Sequence, residues 1–492
     1  MKQIQWTDAL RYRAYQDWPA TYQASLQQTV AKSPWRTQTH IQPQTGLLND
    51  PCSLNYLNGV WHFFYQQYPF GPVHGLKSWH HLTSTDLVHW QPSQPDILPD
   101  TSYDSHGVYT GSGYLEDQQL HFLYTGNVRD ANWQRHAYQM HAYINADKQL
   151  VKDATPVIAA PPAGFTQEFR DPFVFEYEAQ RYALIGGQRQ DKTGAILLYR
   201  QAAKHDWQFV APLKLPKRYC GYMVECPNIA FINGKVVLVF CPQGLDKSIF
   251  AYDNLYPNIA LVADKFDPET GALGSNLNLQ QLDAGFDFYA TRLATDPAGQ
   301  ILAITWLGLP EIQYPTDDYG WAHVLSYPRI LTLDAQDQVR LKPHPNLQRL
   351  RQQPLLPTSS ADGTQFAFKG AFELVGTIDQ VQPLSITVPA AAGEREPALQ
   401  VTLDFEKGQG TLTRPANTTG GAQRTFDLPA MHESTLQLFI DESVFEIFLA
   451  DGRCVLSGRF FGTKAPETIM INGMTQADEL QAWQLQRSNQ AL

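Results

Sequence analysis

The chain has 492 residues and is acidic, with 37 Lys and Arg against 48 Asp and Glu, for a net charge of −11. Charged residues make up only 17 % and aromatic residues reach 12 %, which excludes a disordered chain and a coiled coil. No segment is strongly basic, and no apolar run approaches the ~18 residues of a membrane helix, so we expect neither nucleic-acid nor membrane partners.

The cysteine content favours a reducing compartment. The five cysteines are odd in number and no two form a Cys-x-x-Cys pair, so neither a disulfide framework nor a zinc site is expected. The polar N-terminus has no signal-peptide core. We therefore predict a cytoplasmic protein that needs no metal ion or cofactor.

The order of elements predicts an all-β protein behind a short helical extension at residues 1–34. From residue 35 onward, short apolar and aromatic runs are bounded by Gly, Pro, Asn and Asp, which is typical of strands. Similar runs recur about every sixty residues, marked by Tyr65, Tyr124, Ile185, Phe240 and Trp306. This period predicts a β-propeller with five four-stranded blades over residues 35–341.

A polar motif precedes each marker by 14 to 17 residues. The five motifs are Asn49-Asp50-Pro51, Tyr109-Thr110, Arg170-Asp171-Pro172, Glu225-Cys226-Pro227 and Asp287-Phe288-Tyr289. If each marker lies on the second strand of its blade, each motif lies on the innermost strand, and the motifs converge on the central channel.

The C-terminal part differs from the propeller. Residues 342–363 are rich in Pro and Gln and predict a linker. Residues 364–492 return to strand-like alternation, with a hairpin signal at Asp451-Gly452, and predict an antiparallel β-sandwich. A free edge of this sandwich is a candidate surface for a homodimer.

Three carboxylates lie at equivalent positions of the repeat, 14 or 15 residues before the marker of their blade. They are Asp50, Asp171 and Glu225. Three carboxylates in one pocket repel one another, which is unfavourable unless function requires them. Glycosyl transfer suits such a cluster, because a retaining glycosidase uses one carboxylate as nucleophile and one carboxyl group as acid. A third carboxylate can bind sugar hydroxyls and stabilise the positive charge of the transition state.

Three motifs carry a family resemblance, and together they are specific. Leu48-Asn49-Asp50-Pro51, Phe169-Arg170-Asp171-Pro172 and Glu225-Cys226-Pro227 resemble the nucleophile, transition-state-stabiliser and acid/base motifs of glycoside hydrolase family 32, which contains invertases, fructanases and sucrose-6-phosphate hydrolases. The resemblance implies a five-bladed propeller followed by a β-sandwich, and a retaining β-fructofuranosidase activity.

The resemblance also implies roles for individual residues. Asp50 would attack the anomeric carbon of fructose, and Glu225 would protonate the leaving oxygen and then activate water. Asp171 would hold fructose hydroxyls, and Arg170 beside it is expected to keep it ionised. The remaining positions that match sugar-binding sites are Asn49, Gln66, His74, Tyr109, Thr110, Arg170, Cys226, Asp287, Tyr289 and Trp306, the last of which fits plain blade core equally well.

Further segments resemble the bacterial sucrose-6-phosphate hydrolase branch of the family. They are residues 69–77, 103–109 and 222–227. The substrate implied is sucrose-6-phosphate, sucrose or a short fructan. A phosphorylated sugar needs local positive charge, for which Lys77, Arg189, Lys217 and Arg218 are candidates.

Other functions remain open at this level. An exo-acting fructanase or fructooligosaccharide hydrolase would use the same scaffold. An inverting pentosidase would hold two carboxylates ~6.5–9.5 Å apart, but the order of the motifs disfavours it. In a non-catalytic carbohydrate-binding propeller the catalytic motifs would be retained but altered, and Cys52 and Val224 depart from the family pattern beside Asp50 and Glu225. Asn228, three residues after Glu225, departs from the pattern as well.

Overall fold

The computed structural model describes residues 4–252, 254–360, 363–379, 382–390, 395–429, 433–473 and 479–488. The chain begins with two helices, α1 (Asp8–Arg11) and α2 (Ala20–Val30), joined through a 3₁₀ turn at Tyr15–Asp17. The remaining described residues form strands, turns and short 3₁₀ segments, which confirms the predicted all-β class with its helical extension. Within the described ranges, no helix is long and apolar enough to cross a membrane.

Five sheets form the blades of a propeller. The first has β1 (Gly46–Leu57), β2 (Val60–Tyr68), β3 (Ser78–Ser84) and β4 (Gln91–Pro92); the second has β5 (Val108–Glu116), β6 (Gln119–Arg129), β7 (Arg135–Ile144) and β8 (Leu150–Lys152); the third has β9 (Phe165–Tyr177), β10 (Gln180–Arg189), β11 (Gly194–Ala203) and β12 (Asp206–Pro212). The fourth has β13 (Met223–Ile232), β14 (Lys235–Gln243), β15 (Ile259–Ala263) and β16 (Leu277–Gln281).

The last propeller segment supplies β17 (Tyr289–Thr295), β18 (Ile301–Leu307), β19 (Trp321–Ala322), β20 (Val324–Leu325), β21 (Arg329–Leu333) and β22 (Val339–Pro343). The fifth blade is β17-β18-β21-β22, with β20 paired to β18. Strand β19 instead pairs in parallel with β1, so the end of the propeller is hydrogen-bonded to its beginning. This pairing closes the ring of blades.

The first strand of each blade surrounds the axis. Strands β1, β5, β9, β13 and β17 each lie beside the next one around the ring. Each of them also has a bulge at its polar motif, where the pairing register with the second strand shifts. Asp171, Cys226 and Ala290 adopt positive φ angles of 65°, 46° and 53° in these bulges. A bulge redirects side chains from the regular alternation, and the five bulges therefore form one polar centre.

The second module is a sandwich of two sheets. Its strands are β23 (Arg351–Leu355), β24 (Thr358–Ser360), β25 (Gly363–Ala367), β26 (Ala371–Asp379), β27 (Leu384–Val388), β28 (Leu399–Asp404), β29 (Gln409–Thr413), β30 (Gln423–Asp427), β31 (Glu433–Asp441), β32 (Val444–Leu449), β33 (Cys454–Arg459), β34 (Thr468–Asn472) and β35 (Glu479–Leu485). One sheet is ordered β23-β35-β26-β31-β32-β33, and the other β24-β25-β34-β27-β28-β29-β30.

The sandwich begins earlier in the chain than residue 364. Strand β23 pairs with β35 and β24 pairs with β25, so residues 351–360 belong to the sandwich rather than to a linker. The residues between the modules form a 3₁₀ turn at Pro345–Leu350, whose Leu347 and Leu350 are buried. Most of β23 is exposed, so it lacks the alternation by which a half-buried strand is recognised.

A buried ionic network joins the two modules. His40 contacts Asp441 through Nδ1 at 2.8 Å and Glu446 through Nε2 at 3.0 Å. The Arg329 guanidinium reaches Glu446 at 2.7 Å and Asp283 at 3.3 Å, and all five side chains are fully buried. Burial alone would lower the pKa of His40, but the two carboxylates outweigh it and raise that pKa. The network fixes the propeller against the sandwich.

Candidate active site

Asp50 lies in the bulge of β1 at the centre of the ring. Its Oδ1 accepts a hydrogen bond from Asn49 Nδ2 at 3.0 Å, and its Oδ2 accepts one from the Thr110 hydroxyl. Burial raises the pKa of Asp50 and the charge of Glu225 adds to this, whereas Thr110, Asn49 and Lys77 lower it. Four neighbours therefore set the charge of this carboxylate.

Asp171 lies in the bulge of β9 and is almost fully buried. Its Oδ2 accepts a hydrogen bond from the Cys226 backbone N–H at 3.0 Å, and the Cys226 Sγ lies 3.6 Å from the same oxygen. That sulfur is also 3.7 Å from Asp50 Oδ2. The ligand atoms of the three residues lie within 4.8 Å of one another. Cys226 thus separates two carboxylates at the base of the pocket.

Arg170 is not the main influence on the pKa of Asp171. Burial raises the pKa of Asp171 to about 7, despite the opposing effect of Arg170. The reason is that the Arg170 guanidinium bonds to other carboxylates. Its Nε and Nη2 donate to Glu225 Oε1 at 3.0 and 2.8 Å, and its Nη1 donates to Glu168. Arg170 therefore lowers the pKa of Asp171, as expected from its position, but burial and the charges of Glu225 and Asp50 outweigh its effect.

Glu225 has a donor on each oxygen. Besides the two bonds from Arg170 to Oε1, its Oε2 accepts hydrogen bonds from Tyr289 OH at 2.5 Å and from Gln243 Nε2 at 2.7 Å. Sequence reasoning missed Gln243, although a signal was present. Gln243 follows Glu225 by 18 residues on the second strand of its blade, and Gln66 follows Asn49 by 17.

A chain of amides supports the Asp50 side. Asn49 Nδ2 also donates to Gln66 Oε1 at 2.5 Å, and Gln66 Nε2 donates to the Val108 carbonyl at 3.4 Å. The Lys77 ammonium donates to Asn49 Oδ1, and its side chain is only 3 % exposed. Burial lowers the pKa of Lys77 to about 7, against the effect of Asp50. Lys77 is therefore part of the support of Asp50, and its assignment as a phosphate ligand is corrected.

An aromatic wall adjoins Glu225. The ring of Tyr289 meets Trp306 edge-on at 6.0 Å, and Trp306 meets His74 at 6.1 Å. Trp306 is 1 % exposed, so it packs behind the site instead of offering a sugar platform. Burial and the charge of Lys77 lower the pKa of His74 well below its usual range, so this imidazole is neutral.

Asp287 does not face the pocket. Its Oδ2 accepts a hydrogen bond from Arg414 at 2.5 Å and from the Arg459 backbone N–H at 2.9 Å, while Tyr314 OH donates to Oδ1 at 2.8 Å. The side chain is fully buried. Two of its partners belong to the sandwich, so Asp287 links the modules, and its assignment as a sugar-binding residue is corrected.

The helical extension holds the loop that carries His74 and Lys77. Arg11 Nη1 donates to the His74 carbonyl at 3.3 Å, and the Leu76 N–H donates to the Arg11 carbonyl at 2.8 Å. Tyr15 OH donates to the Leu76 carbonyl at 2.8 Å. Residues 69–77 are therefore fixed from outside the propeller.

Tyr109 is half-buried beside Thr110, and the Arg135 guanidinium lies over its ring, 5.8 Å from the centroid.

Residues that depart from the family pattern lie behind the pocket. Cys52 is fully buried, and its Sγ donates to the Asp50 carbonyl at 3.4 Å. Asn228 donates to the carbonyls of Cys226 and Thr291, each at 2.8 Å, and so connects the fourth and fifth blades. Val224 is also fully buried. These substitutions change the support of the site and leave its carboxylates in place.

Comparison with known proteins agrees with this geometry. The family model "Glycosyl hydrolases family 32 N-terminal domain" matches residues 40–345, and "Glycosyl hydrolases family 32 C terminal" matches residues 335–484. The chain belongs to glycosyl hydrolase family 32. As a family 32 member it is a glycoside hydrolase, and its two modules correspond to the two family domains.

Several relatives share nearly the whole chain. A sucrose-6-phosphate hydrolase of Pediococcus pentosaceus is 41 % identical over 98 % of this chain and 97 % of its own. The one from Lactococcus lactis is also 41 % identical, over 98 % of this chain and 100 % of its own. The structure of sucrose-6-phosphate hydrolase from Lactobacillus gasseri superposes with a TM-score of 0.90 at 35 % identity, covering 98 % of this chain and 100 % of that one.

Proposed function

We propose that this family 32 chain is a retaining β-fructofuranosidase that hydrolyses sucrose-6-phosphate and sucrose. The observation that carries the proposal is the convergence of Asp50, Asp171 and Glu225 on one channel, each with its own set of donors. Relatives at 41 % identity over nearly the full chain are named sucrose-6-phosphate hydrolases, which supports the substrate class.

The reaction follows from the positions of the carboxylates. The Asp50 carboxylate attacks the anomeric carbon of fructose, and Glu225 gives its proton to the departing glucosyl oxygen, so the glycosidic bond breaks as the ester bond forms. Glu225 then removes a proton from water, the water oxygen bonds to the anomeric carbon, and Asp50 is released as a carboxylate. Asp171 binds fructose hydroxyls and balances the positive charge that develops on the sugar ring.

The leaving sugar lies on the Glu225 side, because Glu225 protonates its oxygen. Three arginines lie on that side. Arg170 bonds to Glu225 and Glu168, and Arg135 Nη1 bonds to Glu168 at 2.6 Å. Burial alone would raise the pKa of Glu168, but Arg170, Arg135 and Arg129 together lower it. The excess of positive charge suits an anionic sugar.

Two of these arginines have unused donors. Among the described residues, the Nε atoms of Arg129 and Arg135 are enclosed and have no hydrogen-bond partner. The enclosed Nε atoms are out of reach of a ligand, but the Arg135 side chain is 20 % exposed, so the rest of its guanidinium is accessible to a phosphate oxygen. We therefore assign the phosphate of sucrose-6-phosphate to Arg129 and Arg135. The earlier candidates fit less well, since Lys217 is 62 % exposed and pairs with Asp191 at 2.6 Å.

The test compares kcat/KM for sucrose-6-phosphate and sucrose. In Arg129→Gln we expect a tenfold to hundredfold loss on sucrose-6-phosphate, the ~1.5–3 kcal/mol of one charged hydrogen bond, and little change on sucrose. The double variant Lys217→Gln/Arg218→Gln is the matched control and should behave as wild type. An equal loss on both sugars in Arg129→Gln would reject the phosphate assignment without touching the hydrolase reaction.

A fructooligosaccharide is the second candidate substrate. A cleft of about 1260 Å³ between the extension, the propeller and the sandwich includes His74 in its lining. The lining of this cleft contains His74 but none of the three carboxylates, so kestose is tested as a substrate and is not assigned to the cleft. If kcat/KM on kestose exceeded that on both sucrose and sucrose-6-phosphate, the exo-acting fructanase would replace the present proposal.

We also propose a cytoplasmic location and a homodimer. All five cysteines, each in the described part of the chain, are free and buried, which suits a reducing compartment. Strand β30 is an edge of the seven-stranded sheet and has several exposed residues, so it is available for pairing between chains. Cell fractionation and light scattering after size exclusion test these two points.

A further inference from the structure

A cluster of metal-ligand side chains lies on the outer strands of the propeller, outside the catalytic pocket. His141 lies on β7, Asp153 follows β8, and His205 forms the turn between β11 and β12 with a φ of 63°. The cluster therefore connects the second blade with the third. One ligand atom from each residue lies within 4.8 Å of the other two.

The distances within the cluster suit a common ion. The Asp153 Oδ2 is 3.1 Å from His141 Nδ1 and 2.8 Å from His205 Nδ1. Ligand atoms around a tetrahedral Zn²⁺ with bonds of ~2.0–2.1 Å are about 3.3 Å apart, so small rotations of the side chains would open the site. The three residues lie 12 and 52 positions apart in the sequence, on one strand and in two connecting segments, so their spacing gave no sign of a common site.

His141 is the most buried member of the cluster. Its side chain is 2 % exposed, and its Nδ1 faces the Asp153 carboxylate at 3.1 Å. Its other nitrogen, Nε2, lies 3.0 Å from His121 Nδ1. A hydrogen bond at one ring nitrogen fixes the ring and leaves the other nitrogen as a lone-pair donor, which is how metal-binding histidines are held.

The surroundings keep this arrangement rigid and open on one side. His121 stacks between Tyr114 and Tyr143, with ring centroids 5.5 and 5.3 Å away. His205 and Asp153 remain 32 % and 21 % exposed, so water has access to a fourth position.

We propose that His141, Asp153 and His205 bind a divalent transition-metal ion of the Zn²⁺ class, which joins the second and third blades. Two imidazoles and one carboxylate select Zn²⁺, Ni²⁺ or Cu²⁺ over Ca²⁺ and Mg²⁺, which prefer sets made of oxygen alone. This proposal replaces the expectation that the chain has no metal site. It is independent of the sugar-binding reaction.

The test measures Zn²⁺ bound by untagged protein after removal of metals with a chelator. Equilibrium dialysis against ZnCl₂ should give one ion per chain in the wild type, and at least a tenfold weaker affinity in His205→Gln and in Asp153→Asn. The thermal midpoint should rise with Zn²⁺ in the wild type and stay constant in both variants. His205 is in an exposed turn, so His205→Gln should fold, which circular dichroism checks.

Two controls make the result specific. His136→Gln removes another histidine of β7, which is paired with Asp130 at 3.1 Å but has no third ligand in the described structure, and it should bind Zn²⁺ as the wild type does. Asp50→Asn removes a member of the catalytic group that has a similar spacing, and it should also retain the ion. Absence of tight binding in the wild type, or loss in Asp50→Asn with retention in His205→Gln, overturns the proposal.

Discussion

Arg170 Nη2 donates a hydrogen bond to Glu225 Oε1 at 2.8 Å, so the arginine next to Asp171 in the chain bonds to Glu225, the proposed acid/base residue. A second bond from Nε to the same oxygen, at 3.0 Å, fixes the orientation of the carboxyl group. Arg170 also bonds to Glu168. One side chain therefore connects the third blade, the fourth blade and the leaving-group side of the pocket.

Substrates with different leaving groups distinguish the proposed nucleophile, Asp50, from the proposed acid, Glu225. Glu225→Gln should lower kcat on sucrose by ~10²–10⁴-fold because protonation of the leaving oxygen is lost. A fructosyl fluoride, whose leaving group needs no proton, should restore the first step in this variant. Asp50→Asn should be inactive on both substrates, since the nucleophile is missing. Near-normal sucrose hydrolysis by either folded variant contradicts the mechanism.

Arg170→Lys should impair catalysis although it keeps the charge. Lysine cannot supply the two donors that the guanidinium directs at Glu225. We expect kcat on sucrose to fall tenfold to hundredfold, matching ~1.5–3 kcal/mol for a charged hydrogen bond, and a smaller loss on fructosyl fluoride. Arg200→Lys, at an exposed pair with Glu269, is the control and should retain full activity. Equal losses on both substrates would assign Arg170 to another role.

Lys77→Met should shift the pH profile of kcat/KM. The Lys77 cation lowers the pKa of Asp50, so its removal should raise that pKa and move the acid limb to higher pH. The pKa of Lys77 is about 7, so the difference between the two proteins should shrink above that pH. Lys152→Met is the matched control, since Lys152 is also buried but pairs with Asp104 in the second blade. An unshifted acid limb would contradict the electrostatic role.

Asp287→Asn should destabilise the protein without weakening substrate binding. The substitution leaves the fully buried Arg414 without its countercharge, and breaking a buried pair from one side typically costs about 3–5 kcal/mol. The thermal midpoint should therefore drop, while KM for sucrose stays within twofold. An increased KM with an unchanged midpoint would restore Asp287 as a sugar-binding residue.

The network at His40 predicts how stability depends on pH. Its pKa in the folded protein is raised above the ~6.5 of an unfolded chain, so its contribution is fully present below pH ~6.5. The contribution is lost as the pH rises through the folded-state pKa. The difference in unfolding free energy between wild type and His40→Gln, measured in urea, should therefore decrease above pH ~6.5. A constant or increasing difference would show that His40 is neutral in the folded protein.

The sequence revealed those features of the fold that leave a local pattern of residues. The five aromatic runs and the five polar motifs that precede them are local patterns, and their spacing predicts both the number of blades and the strand that carries each motif. The strands from Gly46 to Pro343 form these five blades. The start of the sandwich was missed at β23, where exposed Gln residues give no alternation.

The sequence by itself determined the carboxylates, their order and the family, because each motif is a short segment that a repeat brings to an equivalent position. Only the tertiary structure decided which neighbour each charge meets. Arg170 is adjacent to Asp171 in the chain but bonds to Glu225, and Asp287 shares the phase of the motifs but bonds to Arg414 in the other module. The physical reason is that the bulge with a positive φ at Asp171 redirects its side chain, and that strands distant in the sequence supply the partners of Arg170 and Asp287.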